Sequence, residues 1–422
     1  MLEIESTEFF FRWQRERLPL DKFAVVESHE LNELLTTEGL RLLNSLPPFS
    51  GKDDVLKSVA RLRAAGHSPG LVAAVLTQAR LRSKATSKFE DFAARMLFTE
   101  AGLEQATRLR VSALHAGRFM RAGISRVADL GCGIGADALA LAAMDLIVVA
   151  VEADEVTAAL AAYNLAIYDN ASVLHSRAED VDLEAAEIEG VYLDPARRTS
   201  GHTNTERITR PEDYSPRLDF AFGLAKRFPT GVKLGPGFDR ELIPAEAEAQ
   251  WVSVDGSVVE LGLWFGALAR PGIMRSALIL DASGTHEMHA ASDSEDVETG
   301  ELGDFLYEPD GAVIRARLIG DLARTTGAHM ISERIAYLTS NTFTPTPFAR
   351  AFRVRGEFPL DAKTLSRELH ARNIGILEIK KRGVDIDPAE FRKLLKPKGN
   401  GRATLFLTRI GEKRVALLAD RL

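Results

Sequence analysis

The sequence of 422 residues holds a single cysteine, Cys132. That excludes an internal disulfide and any cysteine-rich metal site. No apolar run approaches the roughly 20 residues that a membrane-spanning helix needs. The opening stretch, MLEIESTEFFFRWQRERL, carries acids and arginines where a signal peptide carries an apolar core. Histidines are sparse, and His115, His329 and His370 have no partner at a ligand spacing, so they read as ordinary core or surface residues. The expectation from these absences is a cytoplasmic protein with no metal site and no membrane partner.

What is present is the composition of a soluble globular chain, 45% hydrophobic and 27% charged. Its length is too great for one compact core and implies two or three domains. The net charge of −7 hides an asymmetry. Residues 301–422 contain 22 Lys and Arg against 15 Asp and Glu, a net of +7, whereas the other 300 contain 31 against 45, a net of −14. A basic segment joined to an acidic body points to a polyanion-binding module.

Three parts are expected. Residues 1–110 read as a helical domain. A helix is expected near Asp53–Leu62, a second from the cap Ser68-Pro69 through GLVAAVLTQARLR, and a third over Phe89–Phe98. Over residues 111–290 short apolar runs alternate with helices: VADL, LIVVAVE, SVLHS, VYLD and GVKLG, then WVSVDGSVVELGLWFGAL and SALILDA. Nearly continuous apolar strands separated by helices imply a parallel sheet covered on both faces. Asp255-Gly256 is a hairpin signal. Residues 283–304 are polar and acidic and read as a linker, after which 305–422 form a basic α+β domain.

The chemistry concentrates in Asp129-Leu130-Gly131-Cys132-Gly133-Ile134-Gly135, between an expected strand and an expected helix. Gly131, Gly133 and Gly135 permit a tight turn and close approach of backbone to a ligand. Gly131, Gly133 and Ala136 also satisfy a dinucleotide pattern. Glu152 ends the next strand, where a carboxylate can accept both ribose hydroxyls of NAD or of S-adenosylmethionine. Two features favour the latter. Asp129 precedes the glycines, where an anion is unwelcome beside a pyrophosphate but suits a ligand carrying an ammonium and a sulfonium. Asp194-Pro195 ends the fourth strand, over the crevice where open α/β sheets bind ligands.

The order D-x-G-x-G-x-G, Glu152, Glu179-Asp180 and D-P resembles the class I methyltransferases. EQATR (104–108), LDPARRT, VSVDG, YEPDGAVIRA and LEIKKRGV are similar to bacterial members with a THUMP-like C-terminal domain. The resemblance implies an α/β, Rossmann-like methyltransferase sheet with an N-terminal helical domain and a C-terminal α+β THUMP-like domain. It implies S-adenosyl-L-methionine as cofactor, with the glycine loop against its amino acid moiety, Glu152 on the ribose, and Ala178 and Glu179 flanking the adenine.

For the acceptor, Asp194, Pro195 and Arg197 are the expected catalytic residues. Asp194-Pro195 resembles the (D/N)-P-P-(Y/F/W) motif of enzymes that methylate base amino groups, but Ala196 and Arg197 replace the second proline and the stacking aromatic. The D-P-P-R of RNA uracil-C5 methyltransferases is also similar. That chemistry needs a cysteine nucleophile, and Cys132 belongs to the glycine loop, so a covalent cysteine intermediate is excluded. Asp194 is left to orient an amine or accept a proton, with Arg197 or Arg198 holding a phosphate. Lys380, Lys381 and Arg382, near a glycine, suit a phosphodiester backbone, and THUMP domains recognise RNA. The leading expectation is methylation of a tRNA or rRNA base. Methylation of a metabolite or protein, and a non-catalytic RNA-binding role with bound cofactor, are the alternatives.

Overall fold

The computed structural model describes residues 33–46, 52–197 and 214–422, with the side chains of 52–55 and 196–197 outside that description. The chain divides into two compact units. One runs to Lys233 and regains Phe265–Leu268; the other comprises Leu234–Trp264 and Ala269–Leu422.

Among the described residues, the first unit begins with helices α1 (Thr37–Asn44), α2 (Lys52–Ala64), α3 (Pro69–Phe89), α4 (Glu100–Gln105) and α5 (Leu109–Arg121). The α3 start follows its sequence signal: the Ser68 side chain accepts from the Leu71 amide, and Pro69 occupies the first turn. The helix expected over Phe89–Phe98 does not form. Glu90 turns the chain to φ 51°, and a 3-10 segment follows over Glu90–Arg95. Its apolar spacing instead buries Phe89, Ala93, Met96, Leu97 and Phe98.

Five strands then alternate with helices: β1 (Arg126–Leu130), α6 (Ala136–Ala143), β2 (Ile147–Glu152), α7 (Glu155–Leu165), β3 (Ala171–His175), β4 (Gly190–Leu193) and β7 (Thr230–Leu234). Between the last two lie the short antiparallel pair β5 (Ala196–Arg197) and β6 (Tyr214–Ser215), and α8 (Leu218–Leu224). The spatial order is β7-β4-β1-β2-β3, parallel throughout. All carboxyl ends therefore share one edge, and the order reverses between β1 and β4. That reversal opens the crevice in which doubly wound sheets bind ligands. The first helices share a core with this unit: Leu40 and Leu43 of α1, Leu71 and Val75 of α3, and Leu97 pack with Leu160 and Tyr163 of α7.

The second unit holds β8 (Glu248–Val254), β9 (Ser257–Phe265), β10 (Arg275–Asp281) and β11 (Gly284–Ala290), in the order β11-β10-β8-β9. The β8–β9 turn is the expected one, with Asp255 and Gly256 at φ 51° and 81°. The linker expected over 283–304 is corrected in part. Residues 284–290 form the edge strand β11, whose half-exposed face accounts for its polar sequence, and Asp293 pairs with Arg240 and Arg275.

Beyond it stand β12 (Phe305–Pro309), α9 (Gly311–Arg315), α10 (Ile319–Thr326), β13 (His329–Met330), β14 (Leu338–Ser340), β15 (Ala349–Pro359), α11 (Ala362–Ala371), β16 (Ile374–Lys381), α12 (Pro388–Leu395), β17 (Gly401–Ile410) and β18 (Lys413–Arg421). Their strands form one sheet, β13-β14-β12-β15-β18-β17-β16. Leu365, Leu369, Phe391 and Leu395 of α11 and α12 close one of its faces over Leu377, Leu405 and Leu418.

Candidate cofactor and acceptor site

In the first unit, Asp129 is the penultimate residue of β1, in register with Ala150 of β2 and Tyr192 of β4. The chain then bends through Gly131, Gly133 and Gly135 at φ 84°, 57° and 85°, a run of conformations that a Cβ disfavours. The Gly131 and Cys132 amides are tied to the Val151 carbonyl at 2.8 and 3.0 Å. Ile134 is gripped from outside the sheet. Its carbonyl accepts from the Asn164 side chain at 2.9 Å, and a Cβ on Gly102 of α4 would lie 2.7 Å from its side chain. The N-terminal helices thus buttress the loop.

Glu152, at the end of β2, accepts from the Gly133 and Asp154 amides at 3.0 and 2.9 Å. Ala178 and Glu179 stand in a 3-10 turn after β3, the first buried, the second exposed and 3.6 Å from Arg177. Asp194 follows β4 directly, with Pro195 buried beside it, and a Cβ on Gly131 would come within 3.6 Å of the Asp194 carbonyl. The backbone of Arg197 lies in β5. The Arg197 side chain and all of Arg198 are outside the described residues.

One feature escaped the sequence reading. Lys233, near the end of β7, is buried and ion-paired with Asp194. Its ammonium donates to the Thr107 hydroxyl at 2.8 Å, and that hydroxyl donates to Asp137 at 2.7 Å. The other Asp137 oxygen lies 2.9 Å from His115 Nδ1, which is also 2.9 Å from the Tyr192 hydroxyl. His115, expected to be unremarkable, is instead a member of this buried network. Burial pushes the Asp137 carboxyl up, but His115, Lys233 and Thr107 together hold it below its ordinary value. Close by, burial and the charges of Arg108 and Lys233 pull Lys88 down to about 8 while it donates to the carbonyls of Leu103, Glu104 and Ala106.

Asp129 is the exception in this satisfied setting. It is 1% exposed, and neither carboxylate oxygen has a hydrogen-bond partner among the described residues. Burial, then repulsion from Asp137 and Asp194, raises its pKa well above the ordinary carboxylate value. The Lys233 charge and the Ala138 amide offset this only in part, and a buried anion so weakly compensated is costly. An ammonium supplied by a ligand would relieve that cost, and the glycine cradle beside it has open space where a Gly133 side chain would stand. The donor set therefore fits S-adenosylmethionine. Burial followed by the charges of Asp129 and Glu152 raises the Cys132 thiol, which keeps it protonated and a poor nucleophile.

In the second unit, Lys380 is ion-paired with Glu308 at 2.6 Å and Glu378 at 3.5 Å. Arg382 donates to the Ala336 carbonyl at 2.6 Å and lies 4.8 Å from the Tyr337 ring centre. Lys381, between them, is exposed.

The parallel order reversing at β1–β4, with glycines on one side and an acid on the other, defines a nucleotide-type α/β site. Known proteins narrow it. The chain is 32% identical over 365 residues to an uncharacterized S-adenosylmethionine-dependent methyltransferase of Mycobacterium tuberculosis (strain CDC 1551 / Oshkosh), an alignment spanning 83% of this chain and 95% of that one. The same figures hold for the protein of strain H37Rv. A crystal structure from Porphyromonas gingivalis W83, of a protein assigned as a methyltransferase, superposes with a TM-score of 0.68 at 19% identity, over 88% of this chain and 98% of the other, and so shares the fold. Residues 349–421 match the family described as THUMP domain-like, and residues 27–85 a domain of unknown function. The chain belongs to the S-adenosylmethionine-dependent methyltransferases. No helix among the described residues is long and apolar enough to cross a membrane.

Proposed function

We propose that this methyltransferase acts in the cytoplasm on a base of a structured RNA, of the tRNA or rRNA class. The observation that carries the reading is the THUMP domain-like match over 349–421, which falls within the basic third of an otherwise acidic chain. When bound, S-adenosylmethionine supplies an electrophilic methyl group on a sulfonium. Asp129 would receive its ammonium, and the bend through Gly131, Gly133 and Gly135 would let the backbone approach its amino acid moiety closely. Glu152 would hold the ribose hydroxyls, and Ala178 and Glu179 would flank the adenine.

On the acceptor side, Asp194 orients the amine or hydroxyl that takes the methyl group, or receives its proton. Pro195 shapes the turn that presents this carboxylate, and Arg197 meets a base or phosphate. Lys233 is a positioning residue. Pinned by Thr107, it fixes the Asp194 rotamer at the mouth of the crevice. The protonated thiol of Cys132 supports a reaction without a covalent protein intermediate.

Of the run Lys380, Lys381 and Arg382, only Lys381 remains available to a phosphate. The internal partners of the other two favour the second reading, a small-molecule or protein acceptor. The deciding experiment transfers labelled methyl groups to total RNA from a strain lacking the gene and from its parent. Incorporation into the mutant's RNA alone is the expected result. Incorporation into neither RNA, with the cofactor bound, would leave the second reading in place.

A further inference from the structure

We propose that the RNA backbone docks along α11 of the THUMP-like segment, on Lys363 and Arg367 beside His370, in place of the strand-end run Lys380–Arg382. This rests on the RNA reading above and names the surface that reading needs.

Residues 363, 367 and 370 recur at intervals of four and three, which puts them on one helical face. All three are exposed, and with Ala362, Ser366 and Leu394 they line an open groove of about 600 Å³. Leu394 of α12 is 63% exposed there, an apolar surface against which a sugar or base face can rest. Lys396 adjoins the groove, because its carbonyl lies 2.9 Å from His370 Nε2.

Charge decides the occupant. The acids of these two helices are engaged by their own chain. Asp361 caps α11 through the Thr364 amide, and Asp387 caps α12 through the Ala389 and Glu390 amides. Glu368 meets Arg372 at 3.4 Å, and Glu390 meets Lys393 at 2.7 Å. His370 is held by the Lys396 carbonyl, but the two charged bases of the groove are not so engaged. Among the described residues Lys363 has no ion pair, and Arg367, with a side chain 75% exposed, has only a 4.0 Å contact with Glu368. Lys380, by contrast, is 15% exposed between two glutamates. A groove with cations facing outward and its acids engaged in helix caps and ion pairs fits a row of phosphates.

The test is filter binding of the full chain to bulk tRNA at two salt concentrations, with S-adenosylhomocysteine thermal shift as a check on folding. Lys363→Glu with Arg367→Glu should weaken binding by at least about tenfold and flatten the salt dependence by about two phosphate contacts. Lys381→Glu should cost no more than about twofold, the effect of one isolated phosphate contact. The milder pair Lys363→Ala and Arg367→Ala should fall between, and keeps the test valid if charge reversal disturbs the fold. Wild-type chain that binds tRNA while both groove variants bind equally well overturns the groove and leaves the RNA reading intact. A wild-type chain without tRNA affinity removes the RNA reading and the groove with it. Poly-glutamate that displaces tRNA from the groove at equal charge would assign the surface to an acidic protein instead.

Discussion

The two units each bury an ionic cluster, and the clusters are built on opposite plans. In the second unit Arg270 joins β8 to β11. It pairs with Glu248, which is fully buried, at 2.6 Å and with Glu287 at 2.6 Å. The Arg270 amide adds a bond to Glu248 at 2.9 Å, and Ser276 and Gln250 each donate to Glu287 at 2.6 Å. Burial works against Glu287, yet Arg270, Ser276 and Gln250 hold it at about 2. In the first unit burial and two neighbouring carboxylates outweigh the pull of Lys233 and the Ala138 amide on Asp129, no side chain donates to it, and its pKa moves the other way. A satisfied cluster stiffens a fold. An unsatisfied one costs stability and persists where a ligand completes it. The first is structure, and the second is the place to look for function.

The largest effect expected from this contrast is structural. Glu248→Ala leaves the Arg270 charge without its buried partner. It should destabilise the chain by about 2–3 kcal/mol, below the loss for a fully buried pair because a third of Arg270 reaches water. S-adenosylhomocysteine affinity should not change. In denaturant titrations a loss below about 0.5 kcal/mol would show that the cluster does not hold the unit. The same cluster sets an acid limit. Glu287 has a folded pKa below its ordinary value, so its contribution is present above about 4.5 and is lost as pH falls toward 2.

Next comes the acceptor side, where the network should govern turnover and not cofactor affinity. Asp194→Ala should abolish methyl transfer, and Lys233→Met should lower kcat by about 10- to 100-fold, with S-adenosylhomocysteine binding within about threefold of wild type. Thr107→Val should cost less, since Lys233 keeps its pairing with Asp194. Equal losses of cofactor affinity and turnover would move Lys233 to the cofactor side. The smallest effect is expected at Cys132. Cys132→Ser should retain activity within about fivefold, and a variant that binds cofactor yet forms no product would reinstate covalent chemistry.

Much of this was legible in the sequence. The strands, the glycine bend, Glu152 and the Asp255-Gly256 turn follow from local pattern, because period and turn chemistry act over a few residues. The network was not legible, since Thr107 before α5, His115 on α5 and Asp137 on α6 meet Lys233 of β7 only where these helices pack on the sheet. A signal was nonetheless present: Lys233 in the apolar run GVKL, and Asp137 in ADALALAA, are charges placed where a core strand and a core helix tolerate them only with partners. The basic run at β16 misled for a related reason. Alternation along a strand sends Lys380 and Arg382 to one face and Lys381 to the other, so a cluster in sequence is not a cluster in space. Residues 284–290 read as part of the linker because composition does not distinguish an exposed edge strand from a tether, while the acidic stretch 292–304 that follows holds no named strand.

The central claim, that the cofactor's ammonium completes Asp129, is tested most directly by calorimetric titration of S-adenosylhomocysteine into wild type and Asp129→Asn across pH. An acid whose pKa is raised in the free protein is favoured in its protonated form. Binding to an ammonium ionises it, so wild-type affinity should climb as pH rises from the ordinary carboxylate range through the raised value, with release of a proton. Asp129→Asn should bind about 10- to 100-fold more weakly where Asp129 is ionised, a loss of roughly 1–3 kcal/mol, and should show no such climb. Affinity in the variant equal to wild type at every pH would contradict the account.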